Sequence, residues 1–174
     1  MSTVVSPDGS FRDCASCPSQ NNCCVRERRG GYGRVVAPFL LPSEAEVIGR
    51  HKQLDTSSFW EIVENENGMA THELRTVKNQ CYFYDNGRCG IYRIRPIDCR
   101  LFPFDIVERE DGSFWWIVYL KLCPVNFRFE RYFEFAKRTL AESGWSETEL
   151  HQFASHKASD MIKHEHQVLE QVDR

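Results

Sequence analysis

The stretch that decides the fold is CYFYDNGRCGIYRIRPIDCRLFP, which spans residues 81–103. Aromatic and β-branched residues stand on both sides of the dipeptide Asn86-Gly87, a strong signal for a tight β-hairpin. The predicted strands of this hairpin begin with Cys81 and Cys89, and Cys99 follows ten residues later. The sequence therefore predicts a short antiparallel sheet that carries thiols.

Further strands and one helix are predicted around this stretch. A second hairpin is expected from residues 104–107 and 114–120, which flank Asp111-Gly112. Shorter strands are predicted at residues 35–41, 59–63 and 73–77. Ser43 is expected to cap a helix that runs to about Lys52, with Glu46 completing a capping box.

The C-terminal third is predicted to be helical. Phe129, Tyr132, Phe133, Ala136 and Leu140 recur at helical spacing. Gly144 is expected to end that helix, and Ser146 with Glu149 to begin another. A long final helix would then present Leu150, Ala154, Ala158, Met161, Val168 and Leu169 on one face. The predicted fold class is α+β: one domain over 1–174, with a cysteine-rich antiparallel part at about 14–124 closed by a helical part at about 128–170.

Length, composition and charge indicate which broad class of protein this chain belongs to. The chain has 174 residues, a formal net charge of −3 and 41% hydrophobic residues, which suits one folded domain without a general attraction for nucleic acid or anionic lipid. The first residues lack the pattern of a secretory signal, and the longest apolar run, 35–42, is too short for a membrane helix. We expect a cytoplasmic location, where thiols stay reduced. In a secreted protein, four disulfides would be the alternative.

Eight cysteines are the candidate metal ligands: Cys14, Cys17, Cys23, Cys24, Cys81, Cys89, Cys99 and Cys123. The pair Cys14-x2-Cys17 has a spacing that zinc and iron–sulfur sites both use. The segment up to Gly33 has little apolar material, so metal ligation is the predicted means of holding it. For any single cysteine the alternative is a small buried hydrophobic side chain.

Arginines and histidines are further candidate site residues. Arg95 and Arg100 stand near the second cysteine group and are predicted to offset the negative charge of metal-bound thiolates. The alternative, a basic surface for nucleic acid, is disfavoured by the net negative charge. The histidines of the predicted final helix, His151, His156, His164 and His166, lack metal-binding spacing and are predicted to lie in solvent.

The same residues resemble the YkgJ-type cysteine-cluster family of zinc- or iron-chelating proteins. Its pattern, C-x2-C-x2-CC followed by C-x-[FY]…C-x-[IV]-Y-x-x-RP-x-x-CR-x-[FY]-P, is matched by Cys14–Cys24 and by residues 81–103, with five residues instead of two before Cys23. The family is also similar to the cysteine-rich part of flagellin lysine N-methylases. The resemblance implies a metal-binding protein that coordinates zinc, iron or an iron–sulfur cluster.

Two other function classes stay open at this point. One is an enzyme, or an accessory subunit, of a protein modification such as lysine methylation. The other is a zinc-stapled module that binds protein or RNA. The expected partners are a metal ion and, in these alternatives, a protein; neither a membrane nor nucleic acid is expected.

Overall fold

The structure is a computed structural model that describes residues 37–64, 68, 70–78, 80–86, 88–120, 129–157 and 165–173. Its helices are α1 (Pro42–Lys52), α2 (Ile97–Leu101), α3 (Phe129–Ser143) and α4 (Glu147–Lys157). Its strands are β1 (Trp60–Glu64), β2 (Ala70–Leu74), β3 (Thr76–Val77), β4 (Gln80–Cys81), β5 (Tyr84–Asp85), β6 (Arg88–Cys89), β7 (Phe104–Glu108), β8 (Phe114–Tyr119) and β9 (His166–Gln171). The fold class is α+β, as predicted.

All the described strands pair antiparallel. Three hairpins, β1–β2, β3–β4 and β5–β6, precede a three-stranded sheet in the order β7-β8-β9. Both predicted hairpins are confirmed, because Tyr84 pairs with Cys89 and Phe104 pairs with Val118. The first is shorter than predicted, since Tyr82 and Phe83 form a turn that separates β4 from β5.

The strand predicted at residues 35–41 is reduced to one β-bridge. Phe39 pairs with Glu73 of β2, while residues 35 and 36 lie outside the described residues. The N–H of Phe39 points away from β2 and donates to Asp98 Oδ2 at 2.7 Å. The next outward N–H, that of Leu41, donates to Glu44 Oε2 at 3.1 Å. These carboxylates, and the helix that starts at residue 42, end the strand.

Helix α1 is confirmed, but its capping differs from the prediction. The helix starts at Pro42, a favoured first helical residue because its missing N–H would have no helical partner. Leu41 is therefore the N-cap, and Glu44 rather than Glu46 accepts the N-cap N–H. The predicted cap at Ser43 is wrong by two positions.

The C-terminal third departs from the prediction in its last part. Helix α3 is confirmed, Gly144 has φ +66°, and Ser146 N donates to Glu149 Oε2 at 2.7 Å. The long final helix is wrong, because residues 166–171 form β9; the described part of α4 is Glu147–Lys157, and Ala158 and Met161 lie outside the described residues. Pairing with β8 decides this segment, since six residues of mixed polarity carry too little periodicity to specify a helix.

Buried side chains form two main cores. The cysteine core consists of Leu40, Ala45, Ile48, Phe59, Leu74, Cys81, Phe83 and Ile91. The sheet–helix core joins β7 and β8 to α2, α3 and α4, and its largest members are Phe39, Leu101, Phe104, Ile106, Trp116, Tyr132 and Phe153. Across the described ranges, every helix is too short or too polar to cross a membrane.

Candidate metal centre

Cys81 is the last residue of β4 and begins a tight loop. Its side chain is 8% exposed and belongs to the cysteine core. The backbone N–H groups of Phe83 and Tyr84 hydrogen-bond to its sulfur and favour the thiolate form. These donors stand two and three residues after the cysteine, so the loop folds its own peptide groups around the sulfur.

Cys89 repeats this arrangement at the end of β6. Its half-buried sulfur accepts a hydrogen bond from the backbone N–H of Ile91, again two residues further on. Gly90 connects the two loops, because its N–H donates to the carbonyl oxygen of Phe83 at 2.8 Å. A Cβ at position 90 would lie 3.2 Å from that oxygen, so this close approach suits glycine.

Burial opposes charge on both sulfurs. It raises the pKa of Cys81 to about 11, although the N–H groups act in the opposite direction, and negative charge on Cys89 raises it further. Burial also raises the pKa of Cys89, while the Ile91 N–H and the Arg95 charge act to lower it. The buried Cys81 sulfur and the half-buried Cys89 sulfur already accept N–H bonds, and they fit a bound cation, which would supply the charge that makes both thiolates favourable.

The two predicted charge-balancing arginines occupy different places. Arg95 is 8% exposed, its guanidinium carbon lies 4.1 Å from the centre of the Tyr92 ring, and its charge lowers the pKa of Cys89. Arg100 lies 5.9 Å from the centre of the Phe135 ring, and its charge acts on Glu44. Of these two arginines, Arg95 is the one whose charge lowers the pKa of Cys89.

Cys99 lies half-buried on the short helix α2. Glu44 Oε1 accepts the N–H of Ile97 at 2.8 Å, and the neighbouring Asp98 accepts the N–H of Phe39. These contacts position α2 between α1 and the segment at residues 37–41. Like Cys81 and Cys89, Cys99 is present as a thiol rather than in a disulfide.

The predicted ligand set is only partly within the described residues. Cys14, Cys17, Cys23, Cys24 and Cys123 lie outside them. Within the described ranges no three side chains of His, Cys, Asp or Glu converge as a metal site would require. Of the predicted ligands, Cys81 and Cys89 lie in two loops that the Gly90 to Phe83 hydrogen bond joins.

One histidine differs from its predicted solvent position. The His156 side chain is only 5% exposed; Nε2 lies 3.0 Å from the Ala37 carbonyl oxygen and Nδ1 lies 3.2 Å from Thr71 Oγ1. It is a buried structural residue that the i, i+4 rule could not reveal, because its partners are distant in sequence. His151 pairs with Glu108 at the surface, His166 lies in β9, and His164 is outside the described residues.

Comparison with known proteins gives one family. A family model with the description “Putative zinc- or iron-chelating domain”, CxxCxxCC, matches residues 13–117, more than half of the chain. The matched range contains seven of the eight cysteines and ends before Cys123. No significant match was found among curated proteins or among solved structures.

Proposed function

The chain belongs to the CxxCxxCC domain family, and on that premise we propose that it binds zinc or iron through clustered cysteine thiolates. The resemblance predicted from the sequence agrees with this family. Similarity to flagellin lysine N-methylases stays a prediction.

The observation that carries the proposal is the pair of loops around Cys81 and Cys89. Each sulfur accepts backbone N–H bonds from the residues that follow it. Groups that hydrogen-bond to metal ligands orient them and tune the metal, and such bonds to sulfur are a feature of iron–sulfur sites. A cysteine that serves only as a small hydrophobic side chain does not require N–H donors directed at its sulfur, whereas a metal-bound thiolate is stabilised by them.

The remaining ligands are proposed from the other cysteines. A tetrahedral thiolate site takes four sulfurs, so the pair at Cys81 and Cys89 calls for two more. We propose that Cys14, Cys17, Cys23 and Cys24 supply them. Cys99 forms no three-residue group with Cys81 and Cys89, so we propose it as a ligand of a further centre. Cys123 stays a candidate from the sequence alone, because the family match ends before it.

The chain's own residues would hold such a centre in three ways. A bound zinc or iron centre supplies the positive charge that keeps the buried sulfurs as thiolates. The peptide groups of Phe83, Tyr84 and Ile91 orient those sulfurs, and Arg95 offsets the excess negative charge near Cys89. This chemistry suits a reducing cytoplasm, where competing disulfides do not form.

Metal content measured after anaerobic purification tests the proposal. We expect zinc or iron in stoichiometric amount, and we expect Cys81→Ser and Cys89→Ser each to lower it. Ile91→Val is the matched control, because it removes one methylene from the same core, costs about 0.5–1.5 kcal/mol of stability and leaves the sulfurs in place. A folded Cys81→Ser, Cys89→Ser double variant with full metal content would contradict the proposal.

The same sample separates a zinc centre from an iron–sulfur cluster. Acid-labile sulfide together with iron would identify a cluster. Zinc without sulfide, at about one ion per four thiolates, would identify a structural zinc site.

A further inference from the structure

Gly90 lies where the two thiol loops touch. It directly follows Cys89, and its N–H donates to the carbonyl oxygen of Phe83, in the loop of Cys81, at 2.8 Å. A Cβ at residue 90 would lie 3.2 Å from the same oxygen. Because Gly90 is exposed, this constraint comes from a peptide oxygen rather than from burial in a core.

This contact also lies between the two candidate ligands along the chain. Phe83 stands two residues after Cys81, and Gly90 stands next to Cys89. Cys89 packs against the cysteine core, of which Cys81 is a member. The carbonyl oxygen of Gly90 has a partner as well, because Lys52 Nζ, at the end of α1, donates to it at 3.4 Å. Both polar groups of Gly90 therefore help to fix how close the two loops come.

We propose that Gly90 is a positioning residue, which sets the separation of the Cys81 and Cys89 sulfurs and thereby favours an ion of the size of zinc over a larger one. The inference rests on the proposed function and deepens it, because it names the residue that selects the ion by size.

The size of the ion sets how far apart its sulfur ligands stand. A zinc–sulfur bond is about 2.3 Å long, so two sulfurs of a tetrahedral zinc site lie about 3.8 Å apart. Cd²⁺ also takes soft thiolate ligands, but it is the larger ion and holds its sulfurs further apart. Loops that cannot approach each other closely therefore weaken zinc binding more than cadmium binding.

A methyl group at residue 90 would keep the loops apart. Ordinary van der Waals contact begins at about 3.4 Å, so a Cβ at 3.2 Å from the Phe83 oxygen needs that oxygen to move by a few tenths of an ångström. A peptide oxygen cannot rotate away as the end of a flexible side chain can, so the two loops must separate. Metal sites tolerate misplacements of only about 0.5 Å in their ligands. Gly90→Ala should therefore change the preference for one ion over another.

Gly49 provides a matched control beside the same core. A Cβ at residue 49 would also meet a peptide oxygen, that of Leu54, at 3.0 Å, and it would lie 3.9 Å from Phe59 of the cysteine core. Gly49 is in α1, outside both thiol loops. Gly49→Ala therefore adds a comparable crowded methyl group without acting on the contact between the loops.

The ratio of zinc affinity to cadmium affinity, each measured by competition with a chromophoric chelator at one fixed pH, tests the inference. We expect Gly90→Ala to weaken zinc binding by about 10-fold, the lower end of effects known for groups that support metal ligands, and to weaken cadmium binding less. Gly49→Ala should keep the wild-type ratio, even if it lowers both affinities. The ligand-field absorption of the Co²⁺-substituted protein, which depends on the geometry of the ligands, should shift in Gly90→Ala but not in Gly49→Ala.

An unchanged zinc-to-cadmium ratio in Gly90→Ala would overturn the inference, as would an equal change of that ratio in Gly49→Ala. If Gly90→Ala fails to fold, amide hydrogen exchange of the wild-type chain decides. Because coupling is reciprocal, zinc should protect the Gly90 N–H more than cadmium does, relative to the Tyr82 N–H, which donates to Arg75 across the β3–β4 hairpin. Equal relative protection by the two ions would exclude a role for Gly90 in selection.

Failure of the proposed function looks different from failure of this inference. In that case the wild-type chain and the Cys81→Ser, Cys89→Ser double variant would bind zinc and cadmium alike.

Discussion

The cysteine core and the sheet–helix core hold their residues by different means. In the sheet–helix core, β7 and β8 pair over five residues and bury Phe104, Ile106 and Trp116 against three helices. In the cysteine core, the β3–β4 and β5–β6 hairpins pair over only two residues each. Isolated hairpins that short are not stable in water. We therefore expect hydrophobic burial to maintain the sheet–helix core, and a bound metal to add to the stability of the short loops of the cysteine core.

Segment 37–41 joins these two regions. Phe39 is fully buried in the sheet–helix core, while the next residue, Leu40, is fully buried in the cysteine core. Asp98 and Glu44 bind the N–H groups of Phe39 and Leu41. Because successive side chains enter opposite cores, a disturbance of one region can reach the other through this segment.

The largest expected effect comes from the sheet–helix core. Phe104 is fully buried among Phe129, Tyr132 and Phe133, so Phe104→Ala should lower the free energy of unfolding by about 3–5 kcal/mol. The metal content of the folded fraction should not change, since no sulfur is touched. Urea denaturation followed by metal analysis checks both parts.

Ile62→Ala is the control for that substitution. Ile62 is 65% exposed, so its truncation should change stability by no more than about 0.5 kcal/mol. A Phe104→Ala variant that lost its metal while staying folded would show that the two cores do not differ as described.

Removing the metal should have the next largest effect, and it should fall on the other core. With a chelator and a reductant present, amide hydrogen exchange at Phe83, Tyr84, Gly90 and Ile91 should accelerate by about 100-fold, equivalent to about 2.7 kcal/mol of local stability. The β7–β8 ladder should keep its protection, because its stability comes from apolar burial. Equal acceleration in both regions would remove the distinction between them.

Local signals predicted most of this fold. The Asn86-Gly87 turn and the Asp111-Gly112 turn each specify a hairpin within a few residues, and the spacing of α3 specifies its buried face. The site was predictable to the extent that Cys81 and Cys89 stand beside the first turn. What brings their loops together, the Gly90 to Phe83 hydrogen bond, leaves no periodic or compositional trace.

Features that depend on contacts between distant residues could not be predicted from the sequence. The segment at 166–171 joins the sheet because β8 offers it a free edge, which no pattern within those six residues can reveal. His156 is buried by Ala37 and Thr71, which are more than eighty residues away. Glu46 is the capping-box partner that the predicted cap at Ser43 requires, whereas proline at the first helical position makes Leu41 the N-cap and Glu44 its partner.

A change at the joining segment should have an intermediate effect. Glu44 accepts the N–H groups of Leu41 and Ile97, so Glu44→Ala should cost about 2 kcal/mol by leaving both without their acceptor. Because Glu44 touches both the segment and α2, urea unfolding followed by tyrosine and tryptophan signals should show destabilisation of both cores. Loss confined to one core would show that segment 37–41 does not couple them.

Glu44 also gives this prediction a pH signature. Burial raises the pKa of Glu44 above its ordinary value of 4.5, so the folded chain binds this proton more readily than the unfolded chain. The contribution of Glu44 to stability is therefore most favourable below 4.5 and declines as pH rises through the raised pKa. Glu44→Gln, which does not titrate, should lack this decline. An unchanged pH profile in Glu44→Gln would assign the proton to another group.

The smallest expected effect is the loss of one helix cap in the sheet–helix region. Ser146 Oγ accepts the N–H of Glu149 at 3.3 Å, and Glu149 in turn accepts the N–H of Ser146. Ser146→Ala removes one half of this reciprocal box and should lower stability by about 1 kcal/mol, measured by urea denaturation.

Ser57→Ala, in the 3₁₀ turn before β1, is the matched control beside the cysteine core. Since α4 packs mainly on β7, and its last turn contacts β2 through His156 and Thr71, hydrogen exchange should quicken around β7 and leave the Cys81 and Cys89 loops unchanged. Faster exchange in those loops would mean that even a small loss of stability in the sheet–helix core destabilises the cysteine core.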